Sequence, residues 1–387
     1  MADMLPPAPW TRREDLAALI AALGEGNARY VGGAVRDTLL GCEVHDIDIA
    51  TPLEPVEVMA RLDAAGIRSV PTGLKHGTVT AIRKKGNVEI TTLRRDVSTD
   101  GRHAEVAYSH DWREDAARRD FTINALYADP LTREVFAYFG GLDDLRDRQV
   151  RFIGNARERI REDHLRILRY FRFQARFGSQ PADKEAESAC AELASTLKGL
   201  SRERIGWELQ NLLALSDPGP TVTRMAELGV LAVALPEADP AGLVRLIAAE
   251  ARDGVEPDPI RRLAALLPPD PAVAEQVAAR LRLSLAQKKR LILASRREDN
   301  ADPHALAYRI GTAAAIDRLL LSDLASASLH GWHAPTFPLK GGAIVARGVA
   351  AGPEVARILK AVESAWIAEG FPDDDRVAVL LEQRLTE

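Results

Sequence analysis

The 387-residue chain is predicted to be an α+β protein: an N-terminal α/β head with a small mixed sheet and helices, then an all-α stretch to the C-terminus. Three observations predict this. Short apolar runs with strand-like alternation recur between Arg29 and Tyr138, separated by glycine-containing turns. After about Gly154, Ala, Leu, Arg and Glu dominate at helical spacing and no convincing strand follows. Proline-containing breaks at Ser216–Pro220, Glu256–Pro259 and Leu267–Pro271 mark helix boundaries in that second part, which has no repeat of fixed period and no low-complexity tract.

Taken in order, Leu16, Leu19, Ile20 and Leu23 recur at helical spacing within residues 11–24, an amphipathic helix. Arg29-Tyr30-Val31 is a short apolar run that breaks at Gly32-Gly33. A helical pattern runs from Ala34 to Leu40 and stops at Gly41, a residue suited to ending a helix in the left-handed region. Asp46-Ile47-Asp48-Ile49-Ala50 alternates as a strand does. Thr51-Pro52 then opens a helix from Leu53 to Gly66. Ser69-Val70, His76 to Arg83 and Val88 to Arg94 are β-like, the last two joined by a hairpin turn at Lys84-Lys85-Gly86-Asn87. From Arg95 to Ala117 the pattern collapses into a long polar connection, a kind that is usually functional or mobile. Order returns at Arg118–Leu126. Val135 to Tyr138 is strand-like and leads into Phe139-Gly140-Gly141-Leu142-Asp143-Asp144-Leu145.

Formal charge is −5, from 51 basic and 56 acidic residues, which argues against indiscriminate nucleic-acid binding but leaves room for a local basic groove. Residues 151–177 supply one candidate, with eight arginines against three acids. Two cysteines, Cys42 and Cys190, make neither a disulfide framework nor a cysteine-type zinc site. No secretory signal is visible at the N-terminus and no apolar stretch approaches membrane-spanning length, so the expectation is a cytoplasmic protein with no membrane partner. Nothing in the sequence specifies an oligomeric state.

The chemistry concentrates between Tyr30 and Thr51. On a strand, residues two apart share a face, so Asp46 and Asp48 are expected to point the same way, about 6.6 Å apart, with Ile47 and Ile49 in a core. Paired carboxylates on one face hold a divalent cation with room left for phosphate oxygens, and a glycine pair lets backbone amides approach a phosphate. Either feature alone is ordinary, a polar strand face or a turn; together they suggest nucleotidyl transfer. Glu89, among alternating apolar residues in Val88–Arg94, is a candidate third carboxylate. Arg118 and Arg119 could neutralise a triphosphate, and Asp120 could accept from a ribose hydroxyl or fix an arginine. In Glu162–Arg169, Asp163 and Arg166 read as i,i+3 neighbours on one helix face. An acceptor beside donors pairs with the Watson–Crick edges of cytosine and adenine but not of guanine or uracil. His45-Asp46 and His110-Asp111 also fit a phosphohydrolase dipeptide, which would need further helix-borne histidines.

The order VGGAVRD, HDIDIAT, VEITTLR, DGRHAEV, RRDFTINAL, GGLDDL, EDHLRILR and SRERIGWEL resembles the bacterial class II tRNA nucleotidyltransferases, the CCA-adding enzymes, and their poly(A) polymerase relatives, from about residue 28 to 210. The resemblance implies a nucleotidyltransferase-type head at 1–154, a helical neck at 155–237 and a helical body and tail at 238–387. It implies that Asp46, Asp48 and Glu89 bind catalytic Mg²⁺. Gly32, Gly33 and Arg36 would hold the triphosphate. Arg118, Arg119, Asp120, Asn124 and Arg169 would bind the nucleotide, and Asp163 and Arg166 its base, from CTP and ATP. The tRNA would be gripped at its 3′ end and along its acceptor and elbow, and residues 95–117 would be the loop linked to the switch from C to A addition. Pro71–Val79 looks like the CCA-adding version rather than a poly(A) polymerase, and the full-length loop disfavours CC-only addition. A non-catalytic tRNA- or nucleotide-binding protein is the reading from a different class. Residues 340–357 resemble the family's tail element, as an RNA contact or, more simply, a helical packing unit.

Overall fold

The computed structural model describes residues 3–74, 77–99, 104–297 and 302–386. Lys75, His76, which opens an expected strand, and Asp100–His103, part of the expected loop, lie outside the described residues. The chain divides into two compact units, Met1–Glu208 with Pro220–Pro236, and Leu209–Gly219 with Glu237–Glu387.

The first unit opens with helix α1 (Glu14–Leu23), whose buried residues are the four expected, Leu16, Leu19, Ile20 and Leu23. Strand β1 (Arg29–Val31), helix α2 (Gly33–Leu39), strand β2 (Ile47–Thr51) and helix α3 (Pro55–Ala64) follow. Strands β3 (Ser69–Gly73), β4 (Thr78–Ala81) and β5 (Val88–Thr92) come next, then β6 (Arg94–Thr99) and β7 (Ala104–Tyr108). After helix α4 (Trp112–Ala117) come strands β8 (Leu126–Ala128) and β9 (Val135–Ala137) and helix α5 (Gly141–Arg146). Helices α6 (Ala156–Glu162), α7 (Arg166–Phe177), α8 (Lys184–Leu193) and α9 (Arg202–Leu213) complete the set that matters for the site.

Seven strands form one mixed sheet in the order β3-β4-β5-β2-β1-β8-β9. Among the described residues only β2 and β5 run parallel, which puts Asp48 opposite Glu89 and Ile49 opposite Ile90. The pleat sorts them: Ile47, Ile49, Val88 and Ile90 are buried, Asp48 is half-buried and Glu89 exposed. Asp46 corrects the expectation of a two-carboxylate strand. It precedes β2 and is exposed, so it is not held by the pleat that orients Asp48.

The region from Arg95 to Ala117 also differs from its expected patternless form. β6 and β7 pair as an antiparallel ribbon, and Asp111 caps α4 by accepting from the Arg113 amide (2.8 Å). Asp-capped starts recur in the second unit. Asp239, Asp258, Asp270 and Asp302 each precede a proline at the first helical position and accept a backbone N–H. The helices Gly341–Val345 and Pro353–Ala368 bury Ile344, Ile358, Val362 and Trp366 in a shared cluster, so the tail element is a packing unit.

Candidate active site

Between β1 and α2 the chain passes through Gly32 at φ +69°, where a side chain would be strained. The Gly32 amide donates to the Leu126 carbonyl (3.0 Å), tying the turn to β8. One turn into α2, Arg36 is buried beneath the cleft. It donates to Asp37 Oδ1 (2.7 Å) and Asn124 Oδ1 (2.5 Å), and its guanidinium lies 4.1 Å from the Phe177 ring centroid. Burial lowers the Arg36 pKa and the Asp37 carboxylate opposes that.

Asn124 belongs to a short turn locked from behind by α5. A Cβ on Gly141 would lie 2.2 Å from the Thr122 carbonyl oxygen, so only glycine lets α5 close on this turn. Asp144 then accepts from Thr122 Oγ1 (2.5 Å) and Arg151 Nε (2.7 Å). The glycine-rich GGLDDL stretch thus acts on the site from outside it.

The Arg118-Arg119-Asp120 triplet is divided three ways. Arg118 pairs with Asp115 Oδ1 (2.6 Å), the carboxylate it shares with Arg119, and is not among the residues that line the cleft. Arg119 lines the cleft, held by Asp115 Oδ2 (3.0 Å) and the Tyr127 hydroxyl (3.1 Å). Burial alone would raise the Asp115 carboxyl, but the Arg119 and Arg118 guanidiniums outweigh it and hold the group at about 2. Asp120 accepts from the Phe121 amide (2.8 Å), Asn124 Nδ2 (3.0 Å), and Arg169 Nε (2.9 Å) and Nη2 (2.5 Å). A carboxylate has about four acceptor positions, so here Asp120 fixes Arg169 and Asn124 rather than offering an open acceptor.

Asp163 and Arg166 are not on one helix face. α6 ends at Glu162, Asp163 is extended (φ −150°, ψ 105°), and α7 begins at Arg166. The Asp163 carboxylate accepts from the Leu165 amide (3.1 Å) and from Arg204 Nη2 (2.7 Å), while Arg166 donates to Glu162 (2.5 Å) and to the Arg159 carbonyl (2.8 Å). Asp163 is thus held by a local bond to the Leu165 amide and by a guanidinium from α9. A turn therefore brings the two side chains to the same cleft.

That cleft has a volume of about 400 Å³ and is lined by Gly32, Gly33, Arg36, Asp48, Arg119, Asp120, Asn124, Asp163, Arg166, Arg169 and Phe173. Phe173, Asp115 and Arg204 were missed as contributors. The i,i+3 aromatic spacing of Tyr170 and Phe173 and the spacing of Asp115 from Arg118 and Arg119 were the available signals; nothing local singles out Arg204.

Asp48 is the carboxylate at the cleft wall. Burial first, then Glu89 and Asp46, push it up to about 6, against the pull of Arg119. Among the described residues no three His, Cys, Asp or Glu side chains close into a metal cage. The three carboxylates instead make an open acidic face, the donor set that suits a hard divalent ion keeping waters and phosphate oxygens in its shell.

One wall of the cleft thus needs a cation and the other supplies guanidiniums to an anion. That division of charge is what metal-dependent transfer of a nucleotide requires. A model of the poly A polymerase head domain matches residues 28–151, and one of a probable RNA and SrmB-binding site of polymerase A matches residues 182–241. The human mitochondrial CCA tRNA nucleotidyltransferase 1 is 36% identical, over 89% of this chain and 83% of its own. The CCA-adding enzyme of Streptococcus gordonii is 42% identical over 48% of this chain and 46% of its own. The Bacillus stearothermophilus CCA-adding enzyme, solved in complex with CTP, matches with a TM-score of 0.74 at 27% identity, over 96% of this chain and 98% of that one. The chain belongs to the CCA tRNA nucleotidyltransferase family. Nucleotidyl transfer in this family depends in general on a divalent metal.

Proposed function

We propose that the protein adds C, C and A to the 3′ end of tRNA, using CTP and ATP and releasing pyrophosphate. The observation that carries this reading is the single cleft in which Asp48, the Gly32-Gly33 turn and the Asp163 and Arg166 side chains all meet. Asp46, Asp48 and Glu89 would hold Mg²⁺, which when bound supplies charge neutralisation at the attacking and leaving oxygens. Glycine at 32 and 33 leaves the cleft floor bare for a triphosphate, and Arg119 and Arg36 put cationic charge beside it. Asp120 sets Arg169, and Arg204 and Glu162 set Asp163 and Arg166. Asp163 accepts from the exocyclic amino group of cytosine or adenine and Arg166 donates to the neighbouring ring nitrogen, so protein side chains select the base. We place the head at 1–154, the neck at 155–237 and the body and tail at 238–387, with the helical parts gripping the acceptor and elbow of tRNA. Among the described residues no helix is long and apolar enough to cross a membrane. A cytoplasmic location is part of the proposal, to be checked by imaging the tagged full chain, since some relatives carry a mitochondrial name.

The test supplies a tRNA ending at its discriminator base, Mg²⁺, and CTP, ATP or both. Three added nucleotides with both present is the expected product. Long A tails would mean a poly(A) polymerase, and addition of only CC or only A a partial enzyme. Asp163→Ala should raise misincorporation of UTP and GTP by an order of magnitude or more, the effect of losing a charge-assisted hydrogen bond. Unchanged base selectivity would overturn the template role.

A further inference from the structure

A second cavity, of about 470 Å³, adjoins the cleft and shares Asp163 and Arg169 with it. Leu165, Arg204 and Trp207 also line it. Trp207, on α9, is 57% exposed, an indole presented at a cavity that opens directly from the nucleotide site. The Arg172 guanidinium lies 5.9 Å from the Trp207 ring centroid and is fixed by Glu208 (2.7 Å).

We infer that Trp207 is the platform on which the 3′-terminal base of the RNA primer stacks, next to the incoming nucleotide. The inference rests on the proposed function and goes beyond it by placing the primer. Apart from the exposed Glu203, charge on the cavity wall is already compensated. Asp163 is paired with Arg204, and buried Glu208 with Arg172 and, at 3.7 Å, Arg169. An aromatic wall with internally neutralised charges suits a flat neutral base better than a phosphate. Position agrees with this. A primer whose 3′ hydroxyl attacks the incoming nucleotide must lay its last base beside the incoming one, and this cavity shares Asp163, one of the two base-reading side chains, with the cleft.

The reaction also demands such a surface. Across one round of addition the primer ends successively in the discriminator base, in C and in C again. A fixed set of hydrogen-bonding groups would reject some of these ends. Stacking accepts them all, because every base presents a π-face.

The test uses the full chain and measures the affinity of tRNA ending at the discriminator base without nucleotide, and then KM for tRNA and for CTP. Trp207→Ala should weaken tRNA binding and raise KM for tRNA on the order of tenfold, with KM for CTP unmoved. Trp207→Leu should behave like the alanine variant, because it keeps apolar bulk but has no π-face. Trp207→Phe should recover most of the affinity. Wild-type tRNA affinity in the leucine variant would overturn the inference, as would a rise confined to KM for CTP. The binding measurement stands apart from catalysis. A wild-type protein that adds no nucleotide would sink the proposed function, whereas an active wild type with unaffected Trp207 variants would sink the stacking platform alone.

Discussion

At the scale of single residues, Asp48 shows stability set against function. Its carboxyl has a pKa of about 6 in the fold against an ordinary 3.8. The folded state therefore binds that proton more tightly than the unfolded chain does. The stabilisation by this proton is complete below the ordinary value and is lost as pH rises through about 6. At pH 7.5 without metal the ionised group is a net cost, on the order of 1–2 kcal/mol once solvent at the cleft mouth is allowed for. Asp48→Asn should then be more stable than wild type by about that amount at pH 7.5 in EDTA, in urea unfolding. The gap should close as pH falls below about 4, and Mg²⁺ should narrow it by stabilising the wild type alone. Nucleotide addition should fall on the order of 10³-fold. A variant no more stable in EDTA, or one still active, would contradict this account. Asp115 is the opposite case. Held at about 2 by Arg119 and Arg118, it contributes stability that is present above the ordinary carboxylate value and lost as pH falls toward 2.

At the scale of elements, α7 carries Arg166, Arg169 and Phe173 to the cleft, so its seating against its neighbours sets their positions. Phe121 does much of that seating. Its fully buried ring lies 5.0 Å from both Phe152 and Phe173 and 6.4 Å from Tyr170. Phe121→Ala should destabilise the protein by about 3–5 kcal/mol, and Phe121→Leu by less than about 1.5 kcal/mol. Because Phe121 follows Asp120, the leucine variant should raise KM for CTP even where it folds fully. A normal KM would show that Arg169 is positioned without this ring. The same elements show how far the sequence could be read. Strand alternation around Asp48 and Glu89 was legible because both neighbours on each strand are β-branched or apolar and face a core. The break at Asp163 was not. Glu162–Arg169 contains no glycine or proline, and of the two groups that hold Asp163 one, Arg204, lies 41 positions away, the other being the nearby Leu165 amide. The β6–β7 ribbon was hidden for a different reason, since Arg94, Arg95 and Asp96 mask strand periodicity with charge. The Asp111 cap before α4 was a local signal that could have been read.

At the scale of the molecule, the second unit carries a buried charge network of its own. Glu250 is buried and accepts from Arg261 Nε and Arg262 Nε, both at 2.8 Å. Arg261 continues to Asp317 (3.2 Å), and Arg290 joins Asp317 (2.7 Å) to Asp258 (2.8 Å), the cap of the helix Pro259–Leu266. Arg262 donates to the carbonyls of Leu213 (2.9 Å), Leu215 and Ser216 (3.0 Å), which ties the 209–219 segment into this unit. A chain of two such units does not have to unfold in one step. Glu250→Ala would leave two buried guanidiniums without their shared carboxylate, a loss of about 3–5 kcal/mol that falls on the second unit. Differential scanning calorimetry should then show one transition moved to lower temperature while the transition that CTP and Mg²⁺ raise stays where it is. Glu250→Leu should cost as much, because removing one partner of a buried network strands the others whatever fills the space. A uniform shift of a single transition would mean that the two units unfold as one body, with the Glu250 network holding both.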